Sequence, residues 1–452
     1  MKRMIIIGAG AAGMMTAIHA SENYDVTIIE KNDRPGKKLY ITGKGRCNVT
    51  NASDEETFLK NVVTNPKFLY SAIYSYNQSR VISDFESWGV RLKIERGNRV
   101  FPLSDHSSDV IKALSNKLNK CGVKILYNRE VKDLIVDEGD EYIGEENEPI
   151  QTVVGVEYVQ NGRSKIEKLY ADVVVITTGG YSYQATGSTG KGYEMLRKRG
   201  VTISPVRCAL VPIETRESFV KELMGLSLKN VSLKVIASKD SYKTLKKSKI
   251  LYEELGEMLF THFGVSGPLC LSASSYISAF FDRESKKCMD KYPEESGYMS
   301  NDDIPGIVLE IDLKPGLSDE ELDRRIIRDF EEFHNRDFQN SLGKLLPRLL
   351  IPVVIEKSGI SPGKKVNSIT SEERRKLLNV LKHFKLSVKR LRQFDEAIIT
   401  GGGVSVKEIN PHNMELKKIR NLRVAGEVID CDALTGGFNL QIAWSTAYMA
   451  AQ

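Results

Sequence analysis

Gly8-Ala-Gly-Ala-Ala-Gly13 follows the apolar run Met4-Ile-Ile-Ile7 and precedes Met14-Met-Thr-Ala-Ile-His-Ala20, which is the order strand, glycine turn, helix. In that order Gly8 permits a tight turn, Gly10 lets the backbone approach a pyrophosphate, and Gly13 lets the helix pack on the strand. Ala11 and Ala12 open the helix, whose first N–H groups lack backbone partners and can face phosphate. A second strand, Val26-Thr-Ile-Ile29, ends in Glu30 and Lys31. A carboxylate at that place accepts both ribose hydroxyls of an adenosine and disfavours a 2′-phosphate, so the tightly held nucleotide is not NADP. A glycine turn alone also fits a loop without ligand; the two strands and Glu30 weigh against that.

Two further regions return to the same nucleotide. Ala171-Asp-Val-Val-Val-Ile-Thr-Thr-Gly-Gly180 is a buried-strand pattern that runs through Thr178 into Gly179 and Gly180. Near the other end, Asn421-Leu-Arg-Val-Ala-Gly-Glu427 is a strand that ends in Gly426 and Glu427, and a helix behind the turn Gly436-Gly437 carries Asn439 and Gln441. The positive end of that helix suits a flavin ring that gains negative charge on two-electron reduction, and Glu427 should touch the ribityl or ribose part. An extended FAD explains three distant contact regions, whereas NAD alone does not.

Between them, residues 34–51 form a loop too polar and glycine-rich for a core element. Its Arg34, Lys37, Lys38, Lys44 and Arg46 suit a pyrophosphate neighbour, with Gly36, Gly43 and Gly45 among them and Cys47 and Asn48 at its end. A phosphate-binding loop of the Walker type fails, because Lys44 is followed by Gly and Lys38 stands where Gly is required. The bland reading is a solvated basic loop.

Composition sets the outer bounds. The 452 residues are 41% hydrophobic and 27% charged with a net charge of +6, which suits a globular chain of two or three domains and excludes disorder, collagen and a membrane bundle. The six Cys include no C-x-x-C pair and the six His no metal-binding cluster, so no metal is expected, no disulfide scaffold is written, and a reducing cytoplasm is the expected home. Residues 4–21 and 264–281 are uncharged; the first is needed for the glycine turn, and the second, rich in Ser, reads as buried strand and loop.

The chain resembles the BaiN/YhiN-type FAD-dependent flavoproteins, a bacterial family also labelled aminoacetone oxidase family FAD-binding enzymes and related to the glutathione-reductase-like Rossmann flavoenzymes. The resemblance rests on the loop that ends in Gly45-Arg-Cys-Asn-Val-Thr-Asn51, on Gly179-Gly180 with Gly187-Ser-Thr-Gly190, on Thr261-His-Phe-Gly-Val-Ser-Gly-Pro268, on Gly401-Gly-Gly-Val404, and on Gly426-Glu-Val-Ile-Asp430 with Gly436-Gly-Phe-Asn-Leu-Gln441. These five blocks occur in the family's order over the whole chain; Lys44 stands where a small residue is common and Phe438 where Tyr is frequent. The resemblance implies reduction of carbon–carbon double bonds, in unsaturated oxo-bile acids or in uridine of large-subunit ribosomal RNA.

The expected fold class is α/β: a Rossmann-type, glutathione-reductase-like FAD-binding domain split by a β-rich insert that carries a helical subdomain. The expected boundaries are 1–195 with 393–452 for the FAD domain, 196–315 for a barrel-like insert and 316–392 for basic helices that begin with the capped Ser318-Asp-Glu-Glu321. Short strands around Val131, Ile135, Val153 and Val156, with an acidic turn at Asp137-Glu-Gly-Asp-Glu141 and at Glu145-Glu146, resemble the meander between the halves of a FAD domain; Val131 is expected against the adenine. Residues 341–392 hold 13 Lys or Arg against three Glu, a surplus of ten that leaves the other 400 residues at −4. Such a segment suits an RNA backbone; the alternative is a solvated helical face.

No second glycine turn of this type exists, so NAD(P)H as electron donor binds transiently, and no cysteine pair supports thiol exchange. Reduction of a C=C bond needs a proton donor opposite the hydride. Cys47, in the cofactor loop, and His262, in the block expected to face the ring, are the candidate catalytic residues; their alternatives are a packing residue and a hydrogen-bonded structural histidine. His19, His334 and His383 read as structural or solvent-facing. The rival functions are a small-molecule ene-reductase, an amine oxidase, and an RNA-binding protein with structural FAD. Neither substrate, small molecule or ribosomal RNA, calls for a membrane.

Overall fold

Four apolar residues in succession, buried on both faces, suit a central parallel strand. In a computed structural model, which describes residues 1–143, 148–242, 244–291 and 303–452, the strand Lys2–Ile7 is the middle of a five-stranded sheet. The order is Leu422–Val424, Val173–Ile176, Lys2–Ile7, Tyr24–Ile29, Lys124–Leu126, with every pairing parallel. The chain steps outward from Lys2–Ile7 to one side, then returns to its other side at Val173–Ile176. That reversal opens a crevice beyond the strands' carboxyl ends. The antiparallel meander Arg129–Ile143, Glu148–Gln160 and Ile166–Tyr170 supplies the return and holds the strands read around Val131 and Val153. Asp137-Glu-Gly-Asp-Glu141, expected as a turn, instead continues the strand Arg129–Ile143, where the pairing shifts register between Glu138 and Tyr142; Glu145 and Glu146 lie outside the described residues.

The helices Ala11–Ala20 and Phe438–Ala450 pack on one another, and both are apolar on nearly every side, as buried helices are. Trp444, fully buried, donates from Nε1 to Val49 O at 2.9 Å and so anchors the last helix to the basic loop.

The chain divides into two compact units, Met1–Ala209 with Phe394–Gln452, and Leu210–Gln393. The strand Ile203–Ala209, read as part of the insert, belongs to the first unit because it pairs with Ile399–Val404. The second unit is a closed barrel of Ile213–Thr215, Gly264–Ser266, Lys249–Phe260, Ser227–Ala237, Ile307–Asp312 and Phe384–Leu391, with helices on a shared core. Leu233, Val235 and Leu309 of the barrel and Leu322, Val353 and Leu377 of the helices belong to that one core, so the expected separate helical subdomain has no core of its own.

Within this unit Ser318 caps Asp319–Glu332 through a reciprocal box with Glu321, and Thr370 caps Ser371–Lys382 with Glu373 in the same way. Residues 264–281 are a correction: only Gly264–Ser266 is strand, and Pro268–Lys291 is a long helix that starts on its proline. Its serines turn inward. Ser274 Oγ donates to Leu271 O at 2.7 Å and accepts from Val211 N at 2.9 Å, so a polar composition is accommodated without a loop. No helix of the described residues is long and apolar enough to cross a membrane.

Candidate functional site

The three glycines of the turn have three different surroundings. Gly8 adopts φ +105°, and a Cβ there would lie 2.9 Å from Thr177 O. A Cβ on Gly13 would lie 1.9 Å from Gly8 O and 2.7 Å from Thr177 Oγ1, so helix and strand approach as only glycine allows. A Cβ on Gly10 would meet nothing within 4 Å. Open space therefore lies in front of Gly10, at the start of a helix that no side chain caps. Gly426 closes the far side, where a Cβ would lie 2.7 Å from the Ala12 methyl.

Glu30 is 6% exposed and held from both oxygens: Ala9 N donates to Oε2 at 2.6 Å and Asn32 N to Oε1 at 2.8 Å. A carboxylate offers about four acceptor positions, so room remains for two hydroxyls. Beside it Lys31 Nζ donates to Thr189 Oγ1 at 3.1 Å, and burial pulls its ammonium below the usual value. Val131 is buried in the meander.

The basic loop is tied down more firmly than its composition suggests. Gly36 N donates to Ala9 O at 2.9 Å, which fastens the loop to the glycine turn, and Arg34 is exposed. Lys38, expected beside a pyrophosphate, instead ion-pairs with Glu427 at 2.5 Å and donates to Ser182 Oγ. Glu427 also accepts from Ser182 Oγ at 2.7 Å and Thr400 N at 2.8 Å. Burial alone would raise that carboxyl; Lys38 and the hydrogen bonds outweigh it and hold it below the ordinary range. Arg46, expected to reach phosphate too, ion-pairs with Glu95 and with Asp105 at 2.6 Å and lies 4.0 Å over the Phe101 ring. Gly43, Lys44, Gly45 and Cys47 all have positive φ between 56° and 83°, which curls the loop tightly. Cys47 is fully buried at the end of this curl, and burial pushes its thiol up to about 12.

Asn48 carries a buried Oδ1 with no partner, and Gly437 packs against it: a Cβ on Gly437 would lie 3.0 Å from that oxygen and 2.3 Å from Thr50 O. Gly437, at φ +99°, starts the helix Phe438–Ala450 with no side-chain cap. Asn439 and Gln441, expected as cofactor ligands, commit their side chains within the chain. Asn439 bonds both ways with Ala433, at 2.9 and 2.8 Å. Gln441 accepts from Thr50 Oγ1 at 2.5 Å and donates to Tyr76 O at 2.9 Å. Thr178 Oγ1 is a second buried oxygen without partner, between Gly179, at φ +72°, and Gly192. Gly180 packs on Thr400.

The first unit thus brings together the turn 8–13, Glu30, the loop 34–48, residues 178–180, Gly426, Glu427 and Gly437. His262 belongs to the second unit, where it is exposed with its ring edge-on to Phe263 at 4.9 Å. A buried cluster escaped the sequence reading: Arg207 Nη2 donates to Asp432 Oδ1 at 2.9 Å and to Thr64 Oγ1 at 2.7 Å, while Asp432 Oδ2 and Asp430 Oδ1 lack partners. Burial, above all, raises the Asp432 carboxyl. Asp430 follows Glu427 in a quoted motif, but Arg207 stands in no motif and carries no signal.

The model of the HI0933-like protein Rossmann domain matches residues 2–452. The chain belongs to the HI0933-like family. Among curated relatives it is 28% identical over 455 residues to a 3-dehydro-bile acid delta(4,6)-reductase of Clostridium scindens, covering 100% of this chain and 98% of the relative. It is equally, 28%, identical over 450 residues to a ribosomal RNA dihydrouridine synthase of Haemophilus influenzae, covering 99% and 97%. The Escherichia coli protein of the same name is 27% identical over 450 residues, covering 99% and 96%. Among solved structures a 3-ketosteroid delta1-dehydrogenase from Sterolibacterium denitrificans shares the fold, with TM-score 0.50, 13% identity and coverage of 100% and 98%. The HI0933-like chain is thus an α/β protein whose first unit is Rossmann-type and whose second is a closed barrel with helices.

Proposed function

We propose that this chain is an FAD-dependent oxidoreductase that reduces an activated C=C bond with electrons from NAD(P)H, and that its substrate is uridine in large-subunit ribosomal RNA. The observation that carries the cofactor reading is the open space before Gly10, at an uncapped helix start with Glu30 anchored beside it. The partnerless oxygens of Asn48 and Thr178 are donor-seeking groups that such a cofactor satisfies. Glu30 would hold the ribose hydroxyls, the amides of Ala11, Ala12 and Gly13 would hold the pyrophosphate, and Glu427, paired with Lys38, would hold the ribityl part. When bound, FAD supplies a hydride to one carbon of the double bond. The helix Phe438–Ala450 starts without a side-chain cap, and its positive end would favour negative charge developing on a flavin bound before it. Cys47 Sγ–H gives a proton to the other carbon. Its thiol stays protonated throughout the neutral range, and the burial that raises it to about 12 also makes it a weaker acid than a free thiol.

Relatives named ribosomal RNA dihydrouridine synthases support the RNA substrate, and with it a cytoplasmic location; the equal identity to the bile-acid reductase supports a second reading, reduction of an unsaturated oxo-steroid. Nucleoside mass spectrometry of large-subunit ribosomal RNA from a deletion strain and its parent separates them. Loss of dihydrouridine in the deletion is the expected result; an unchanged level rejects the RNA reading and leaves the unsaturated ketone to be assayed with the purified protein.

A further inference from the structure

If ribosomal RNA is the substrate, its backbone needs a cationic surface, and most of the charge of the basic segment is balanced by acids. Within residues 341–392, Lys344, Lys364, Lys365, Arg374, Lys376, Lys382, Lys385, Arg390 and Arg392 each pair with a carboxylate. Lys357 lies over Phe219 and Phe384, which leaves Arg348, Arg375 and Lys389 exposed without an acid among the described residues.

A different arrangement sits beside the candidate site of the first unit. The strands Leu92–Glu95 and Arg99–Pro102 form a hairpin whose residues 91–99 hold Arg91, Lys93, Arg96 and Arg99 against Glu95. Lys93 is neutralised by Asp105 at 2.6 Å. Arg91, Arg96 and Arg99 are exposed, and no carboxylate of the described residues pairs with them. The hairpin is fastened to the site at two points. Asn51 Nδ2 donates to Gly97 O at the hairpin tip and to Gly436 O in the turn before Phe438–Ala450, both at 3.0 Å. Arg46, next to Cys47, ion-pairs with Glu95 and covers Phe101. On the loop that Arg46 anchors, Lys44 is exposed and Tyr40, 57% exposed, offers a ring on which a base can stack.

We propose that this hairpin, with Arg91, Arg96 and Arg99, is the surface that holds the phosphate backbone of single-stranded ribosomal RNA while a uridine reaches the site. The proposal rests on the RNA reading above. Planar guanidinium groups match phosphate oxygens, and three of them on one hairpin offer a single strand several phosphate contacts. A steroid with a single carboxylate requires no such row.

The test uses full-length protein and a protein-free transcript of large-subunit ribosomal RNA, with the dissociation constant measured from low to high KCl. Each phosphate contact to a single strand contributes about 0.7 to the slope of log affinity against log salt. The triple variant R91Q/R96Q/R99Q should lose about 2 from that slope, with less dihydrouridine formed at a fixed RNA concentration. The matched insert variant R348Q/R375Q/K389Q should keep the wild-type slope. R91K/R96K/R99K, which retains charge, should keep most of it and guards against a folding defect, as does the cofactor content of each protein. Photocrosslinking of 4-thiouridine-labelled transcript to the wild type should mark the peptide that contains residues 91–102, whether or not the triple variant folds. Wild-type binding that the hairpin variant retains at full slope, or crosslinks confined to the insert, overturns the surface and leaves the RNA reading intact. A wild type that neither binds nor modifies the transcript overturns both.

Discussion

Gly10→Ala and Gly13→Ala look alike in sequence and should behave oppositely. At Gly10 the backbone is extended, at φ −79° and ψ −170°, and the new methyl meets no atom within 4 Å. Alanine at such a site reduces the freedom of the unfolded chain by about 0.4–1 kcal/mol, offset by its poorer performance at a helix N-cap, so the apoprotein should stay within about 1 kcal/mol of wild type. The methyl does occupy the space from which a pyrophosphate would meet the helix amides. A charge-assisted hydrogen bond is worth about 1.5–3 kcal/mol, so loss of one contact lowers FAD affinity about 10- to 100-fold. At Gly13 the methyl would lie 1.9 Å from Gly8 O, a backbone carbonyl that also accepts from Thr177 Oγ1 at 3.0 Å. Overpacking of that kind costs about 3 kcal/mol or more and lowers the melting temperature of the apoprotein itself. Thermal melts of both apoproteins and a fluorescence titration with FAD check the pair. A Gly10→Ala protein that binds FAD within threefold of wild type would refute the placement of the pyrophosphate.

Further outcomes follow from the buried groups. Cys47→Ala should retain its cofactor yet lose about 10²- to 10⁴-fold in dihydrouridine formation, the usual worth of a positioned acid; turnover within tenfold of wild type would return Cys47 to packing. Because burial raises its thiol to about 12 from 9.0, Cys47 should add no inflection to the rate between pH 6 and 9, and the stability it contributes is complete below pH 9 and lost as pH rises toward 12. Glu427 is depressed, so its contribution is complete above the ordinary carboxylate value of 4.5 and is lost as pH falls below that; urea midpoints from pH 3 to 6 should show a step that Glu427→Gln removes. Lys38→Met leaves Glu427 unpaired and should cost about 3 kcal/mol, much of it recovered when Glu427→Gln is added.

Local features of this chain are legible in its sequence, and partner choice is not. The turn 8–13 could be read because Gly13 must clear Gly8 O within the turn itself and Glu30 follows the adjacent strand, although Thr177, which crowds both Gly8 and Gly13, is remote in the chain. The Ser318 cap was legible for the same reason. Arg46 and Lys38 could be recognised as charged loop residues, but their partners Glu95, Asp105 and Glu427 lie 49, 59 and 389 residues away. The strand Phe384–Leu391 alternates buried Phe384, Leu386 and Val388 with more exposed residues, yet it follows a capped helix directly, so the sequence alone extends the helical segment to Arg392. Its pairing with Ile307–Asp312 on one side and Ile213–Thr215 on the other reveals that it closes the barrel. Likewise the basic surplus of 341–392 is a property of a window: the balancing acids Glu214, Glu310, Asp312, Asp323, Glu332 and Asp337 all precede it in the chain.

Lys44 offers a test in which stability and binding should part. It adopts φ +58° between Gly43 and Gly45, a left-handed conformation that costs an L-residue about 1–2 kcal/mol. Lys44→Gly removes that strain and returns about 0.4–1 kcal/mol of freedom to the unfolded chain, so the net effect is a protein as stable as wild type or more stable by about 1 kcal/mol. A strained, exposed cation beside the anchored Arg46 has no packing role that glycine lacks, and strain of this kind is retained where a side chain serves a ligand. The same substitution should therefore lower the salt slope for the ribosomal RNA transcript by about 0.7, one phosphate contact, with FAD affinity unchanged. A destabilised Lys44→Gly protein would mean that the lysine makes the curl of the loop, and an unchanged slope would remove Lys44 from the RNA surface while leaving the hairpin arginines in it.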